Sequence, residues 1–287
     1  MHNTMGIVAC TNACLDYIER DKDSRILRSR VHLGDETFVD YEELTAPEFY
    51  NRLNEDSSLF PKTSQPPIGE MMETFETLRD EGKTDIIVVT ISSNMSGIYS
   101  TAIAAGKQVE GVNVHVFDSK TVAYAQALMA IKASEMAENG KPVKAILTAL
   151  ENMRDHNHII FAVDTLAYLV KNGRLSNAQG FLGSMLKIKP LLHISREGKV
   201  ENIEKIRTFK KAVNRVVDSY LEETGELDVL PYIVHAQNEK TRDYIIERLK
   251  EADPSIESVL DIPLTPAVGA HGGPGAIGLG YIEKKTL

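Results

Sequence analysis

The sequence predicts an α/β protein in two parts: an N-terminal domain over 1–165 built on a parallel sheet, and a C-terminal α+β domain over 166–287 with a mixed or antiparallel sheet. Three observations predict this. Short runs rich in β-branched residues recur at Ile86 to Ile91, Val112 to Phe117 and Ile159 to Val163, each of a length that suits a buried strand. Segments of helical period separate these runs, and alternating strands and helices close into parallel pairs by crossover connections. Beyond about residue 165 the rhythm changes to two stretches, Pro190 to Ile194 and Val200 to Ile206, around the turn residues Glu197 and Gly198, which look like a hairpin.

In chain order, Ile68, Met71, Met72, Phe75 and Leu78 fall on one helical face, and the helix stops at Gly82. The strand at 86–91 runs into Ser92 and Ser93, with a helix starting near Ser96. Helices are expected at Tyr124 to Asn139 and Val143 to Arg154, separated by Gly140 and Pro142. In the second part a helix over Leu166 to Val170 ends at Asn172 and Gly173, and another covers Ala178 to Leu186. After the hairpin come a helix at Phe209 to Glu222, a strand at Tyr232 to His235, a helix at Arg242 to Lys250 and two closing strands.

The 287 residues, 43% apolar and 25% charged, are enough for two ordinary cores. A net charge of -9 and a pI near 5.5 argue against non-specific nucleic-acid binding. No apolar run approaches a membrane span, and the N-terminus lacks a basic start followed by a long apolar core, so the expectation is a cytoplasmic protein without an integral membrane segment. Cys10 and Cys14 supply at most two metal ligands and are read as buried thiols, with no metal expected.

Gly273, Gly275 and Gly278 spell a G-x-G-x-x-G beside His271. A dinucleotide site needs a helix after those glycines and an acidic residue about 20 positions later. Only nine residues follow Gly278, so this reading is set aside and no cofactor is expected. The polar residues at the ends of elements are better candidates. Ligands of open parallel sheets lie past the carboxyl ends of strands, where Ser92, Ser93 and Ser96 stand, and Thr63 and Ser64 precede the proline-started helix at Ile68. Hydroxyls and free N–H groups at such places hold small anions, and they also serve as ordinary helix caps.

Six stretches in order, TSQPP at 63–67, SSNMSGIYSTA at 92–102, FDS at 117–119, LAYLVKNGRLS at 166–176, KPLLHISREGKVENIEKIRTFKKA at 189–212 and HGGPGAIG at 271–278, resemble the DegV family. The resemblance implies a bacterial two-domain lipid carrier that encloses a long-chain fatty acid between its domains and presents the carboxylate to a separate ATP-dependent fatty acid kinase. It implies no catalytic residue, metal or ATP site in the carrier. It maps the carboxylate holders onto Thr63, Ser93 and His271, with Ser64, Ser92 and Gly272 beside them. Arg174 and Arg207 match positions associated with the head group or the kinase contact, and Lys210 and Lys211 stand beside Arg207 as further docking candidates. Ile68, Met71 and Met72, with Phe181, Leu182, Met185 and Leu186, are candidates for the acyl slot, although stripes at helical spacing are also ordinary core. The CTNAC loop at 10–14 departs from the family's Thr-Asp-Ser pattern, and Pro67 stands where a serine is common.

The chemistry of these residues suits that role. Hydroxyls and an imidazole donate to a carboxylate without the strong pairing of a buried arginine. Burying about 12 methylenes at roughly 0.8 kcal/mol each supplies most of the affinity, so the head-group residues orient the carboxylate. Two other readings are a lipid sensor without a kinase, and a serine hydrolase or esterase using Ser93, His271 and an acid such as Asp118 or Asp164. The G-x-S-x-G elbow of the α/β-hydrolases is absent from the sequence.

Overall fold

The computed structural model describes residues 4–18, 24–177, 188–254, 256 and 258–287. The run anticipated at 86–91 forms β6 (Asp85–Thr90), one of the two inner strands of a parallel sheet. β6 pairs with β1 (Met5–Cys10) on one side and β7 (Asn113–Asp118) on the other, and β2 (Arg25–Leu27) lies beyond β1. Both faces of this sheet are covered, which is why its central strands read as unbroken apolar runs rather than alternating ones. On one face Ile86 and Val88 meet Met71, Phe75 and Leu78 of α2 (Ile68–Asp80) and Ile98 of α3 (Ile98–Gly106). On the other, Ile87 and Val89 meet α4 (Tyr124–Glu138) and α5 (Val143–Asp155) through Met129, Ile146 and Leu150. Phe75 is fully buried, and truncating it to alanine would cost about 3–5 kcal/mol.

The second sheet has the order β10-β9-β8-β13-β11-β12. Its strands are β8 (Asn157–Ala162), β9 (Leu191–Ile194), β10 (Val200–Glu204), β11 (Val229–His235), β12 (Leu260–Pro263) and β13 (Ile277–Glu283). It is mixed: β11 and β12 are parallel, and the other pairs are antiparallel. One face is covered by α7 (Phe209–Thr224) and α8 (Glu239–Ala252), and the other carries Ile159, Leu192, Ile194 and Val234 toward the first half of the chain.

β8 differs from the expectation. The alternation of elements counted it with the parallel strands, but it pairs antiparallel with β9 and β13 in the second sheet. Its apolar run demands burial without naming a partner, and the partners come from much later in the chain. A third, antiparallel sheet of β3 (Arg30–Leu33), β4 (Glu36–Val39) and β5 (Lys62–Ser64) was not anticipated, since its strands are too short and too polar to show a period. It places Thr63 opposite Val31. Three helices complete the described residues: α1 (Ala46–Glu55), α6 (Ala167–Lys171) and α9 (Pro266–Gly272). The helix expected over 178–186 lies outside the described residues.

Candidate ligand-binding cavity

Where the loops after β1 and β6 face the inner side of the six-stranded sheet, the fold encloses a cavity of about 380 Å³. Ile91, Met95 and Val122 line it from the first half of the chain, and Ile159, Phe161 and Val234 from the second. A slot of this size and apolar lining suits a hydrophobic ligand held at a few polar points.

The polar points come from separate elements. Thr63 stands on β5, and His271 occupies the last turn of α9. Their side chains meet, Thr63 Oγ1 lying 2.8 Å from His271 Nε2. Asn172 ties the two segments together, donating to the carbonyls of Pro61 at 3.4 Å and Ala270 at 3.0 Å. α9 ends at Gly273, whose φ of 77° and distance of 2.4 Å from an added Cβ to the Tyr168 ring admit only glycine. The G-x-G-x-x-G therefore ends a helix and starts a strand, β13, where a dinucleotide site would need a helix.

Burial, and after it the charge of Arg174, pushes the His271 pKa down to about 4, so the imidazole is neutral near pH 7. Its Nδ1 is buried without a hydrogen-bond partner among the described residues. Arg174 also lines the cavity, donating to the carbonyls of Met95 at 3.1 Å and Asn172 at 2.5 Å. Ser64, Gly272 and Ser96 share the lining, as do Gln65 and Asn12, which the sequence reading did not single out. Asn12 belongs to the atypical CTNAC loop, and its Oδ1 is buried with no partner among the described residues. Next to it Thr11 donates to Asp40, which accepts at 3.3 Å from the N–H of Ala267 in α9. Burial raises the Asp40 pKa to about 6. Ala123, another lining residue, has φ 56° and ψ -131°, a conformation that costs an alanine about 1–3 kcal/mol.

The double serine is placed differently. The buried Ser92 donates to the carbonyl of Gly198 at 2.7 Å, and the exposed Ser93 donates to Asp118 at 2.6 Å. Neither is in the cavity lining among the described residues. Ile68 is 39% exposed, and Met72 packs in the core beside the parallel sheet; neither lines the cavity. Phe181, Leu182, Met185 and Leu186 lie outside the described residues. Arg207, Lys210 and Lys211 are exposed at the start of α7. The constellation of a serine hydrolase is not assembled: Ser93 is engaged by Asp118, Asp164 by Lys189 at 2.6 Å, and His271 by Thr63. Cys10 and Cys14 are buried free thiols, with pKa values raised by burial.

This fold and cavity define a class, α/β proteins with a cavity between a parallel and a mixed sheet. Residues 5–284 match the model of the DegV family, described as an uncharacterised protein family. A DegV domain-containing protein of Staphylococcus aureus is 39% identical over 249 residues, 86% of each chain. The structure is similar to that of DegV from Bacillus subtilis, described as a fatty acid binding protein, with a TM-score of 0.85, 33% identity, and 98% and 99% of the two chains covered. It is also similar to a DegV family protein from Eubacterium eligens loaded with heptadecanoic acid, with a TM-score of 0.81, 25% identity, and 98% and 100% covered. The chain belongs to the DegV family.

Proposed function

We propose that this protein binds a long-chain fatty acid in the cavity between its two sheets and presents the carboxylate to a separate ATP-dependent fatty acid kinase, which forms the acyl phosphate. The observation that carries the binding step is the apolar cavity with the bonded pair Thr63 and His271 in its wall. The B. subtilis and E. eligens relatives support the ligand class. The kinase rests on the resemblance, and the separate site of phosphorylation follows from it.

The neutral imidazole assigns the roles of the pair. With the proton on Nε2, His271 donates to Thr63 Oγ1, and the threonine's own hydroxyl hydrogen is free for a carboxylate oxygen. With the proton on Nδ1 the threonine spends its hydrogen on the ring, so a bound carboxylate selects the Nε2–H form. Arg174, already engaged with two carbonyls, adds positive potential. The carboxylate is thus held by neutral donors and long-range attraction, and can be given up to a partner. Of the residues mapped by resemblance, Thr63, His271 and Arg174 act on the carboxylate in this proposal, with Ser64 and Gly272 beside them. Ser92 and Ser93 support the loop.

Native mass spectrometry of the purified protein, followed by denaturing extraction, tests the binding step. One fatty acid per chain is the expected result, and a protein that stays empty when offered fatty acids overturns it. Acyl-phosphate formation with purified kinase and ATP tests the second step separately.

A further inference from the structure

A second cavity, of about 950 Å³, adjoins the first and shares Ile159 and Ile194 with it. A row of hydrogen bonds lines it: Glu223 Oε2 lies 2.7 Å from His158 Nδ1, and His158 Nε2 lies 2.9 Å from His193 Nδ1. When both rings are neutral, His158 donates to Glu223 and accepts from His193. That leaves His193 Nε2 as an acceptor, 3.9 Å from Glu201.

Lys120, Arg154 and Arg196 reach the same cavity from three different segments. Its three acids are each engaged: Asp155 lies 3.6 Å from Arg154, Glu223 holds His158, and Glu283 lies 2.7 Å from Lys285. Lys120 and Arg196 have no carboxylate within ion-pair distance among the described residues, and Lys120 is felt by Glu197 only at longer range. Arg154 is partly engaged, its Nε 3.6 Å from Asp155 and its Nη1 donating to the Asp118 carbonyl at 3.3 Å, so of the three cations Lys120 and Arg196 are left without a carboxylate among the described residues. Positive groups are thus left over after the internal pairing is complete. Ile203 and Leu227, 46% and 43% exposed, line the same cavity, with the Tyr281 ring beside them.

We propose that this cavity is a second binding site, for a small soluble organic phosphate whose anionic group lies among Lys120, Arg154 and Arg196 and whose apolar portion lies against Ile203, Leu227 and Tyr281. Arginine and lysine donors suit phosphate oxygens, and burying the two exposed aliphatic side chains gives an organic phosphate an advantage over the inorganic ion. The proposal does not rest on the fatty-acid reading, since none of these six residues lines the first cavity.

Isothermal titration calorimetry of the full chain, with AMP and inorganic phosphate as probes, tests it. The expected result is saturable binding of one AMP per chain, at least tenfold tighter than phosphate, weakened tenfold or more in the Lys120→Ala, Arg196→Ala double variant. Histidine ring signals in the NMR spectrum of the unsubstituted protein should shift with AMP, a readout that needs no variant to fold. No saturable AMP binding up to millimolar concentration overturns the proposal, as does a folded double variant that binds AMP as tightly as the parent. Equal affinities for AMP and phosphate would remove the apolar half of the site. Retention on phosphatidylglycerol vesicles without AMP binding would assign the cations to a lipid surface and overturn the soluble ligand.

Discussion

His271 and Asp40 sit at opposite ends of the short helix α9, and burial pushes their pKa values in opposite directions, to about 4 and about 6. The histidine's folded pKa lies below its ordinary 6.5. The unfolded chain therefore takes the proton first, and this contribution to stability is complete above pH 6.5 and is lost as pH falls toward 4. The aspartate's folded pKa lies above its ordinary 3.8, so the folded state takes the proton first and gains stability as pH falls from 6 to 3.8. Each effect is on the order of 3 kcal/mol, and over their common window they oppose each other. Relative to the parent, His271→Gln should become more stable on acidification from pH 7 to 4.5, and Asp40→Asn less stable, as measured by urea unfolding at each pH. Two variants that both follow the parent's pH dependence would refute the assignment. Within the proposed function, Thr63→Val removes one hydrogen bond to a charged group, worth about 1.5–3 kcal/mol. Its fatty-acid affinity should fall roughly ten- to a hundredfold in a displacement titration while the fold is retained.

The loop after β6 and the turn between β9 and β10 form a latch between the halves of the molecule. Ser92 donates to Gly198 O at 2.7 Å, Asn94 donates to Glu197 O at 2.6 Å, and Arg174 bonds the Met95 carbonyl nearby. Gly198 has φ 78°, and an added Cβ would lie 2.1 Å from Ser92 Oγ, so both the turn and the close approach require glycine. Within the proposed function, the fatty acid leaves when these contacts open. Ser92→Ala should therefore release fatty acid about fivefold faster, in line with about 1 kcal/mol for one hydrogen bond. Stopped-flow displacement measures this, and an unchanged release rate would show that the latch does not limit exit. At the same scale, Ala123→Gly relieves a left-handed backbone at the start of α4. Thermal melting should show no loss of stability, although glycine in general costs conformational entropy.

For the whole molecule, a ligand held between two sheets stabilises both at once. At a hundred times its Kd it adds about 2.7 kcal/mol, so delipidated protein should melt lower than loaded protein, and added fatty acid should restore the midpoint. A melting temperature insensitive to delipidation and reloading would argue against enclosure between the halves.

From α2 to α8 the strand–helix order was legible in the sequence, because a buried strand such as β6 and an amphipathic helix such as α2 carry their periods locally, whereas β2 to β5, α1 and the helix α9 between the closing strands were not. The family and the candidates Thr63, Arg174 and His271 were legible as an ordered set of motifs. The partners of β8, the small sheet under Thr63, and the separation of Ser92 and Ser93 from the cavity were not. Asn12 and Phe161 joined the lining without any local signal, since an asparagine in a loop and an apolar residue in a strand are ordinary there. The sequence by itself determined which segments must be buried and which side chains carry hydrogen-bond donors at the ends of elements. The tertiary structure decided which of them meet, because the pairing of β8 with β13 and the docking of α9 on β5 join residues far apart in the chain, and no local pattern encodes such a contact.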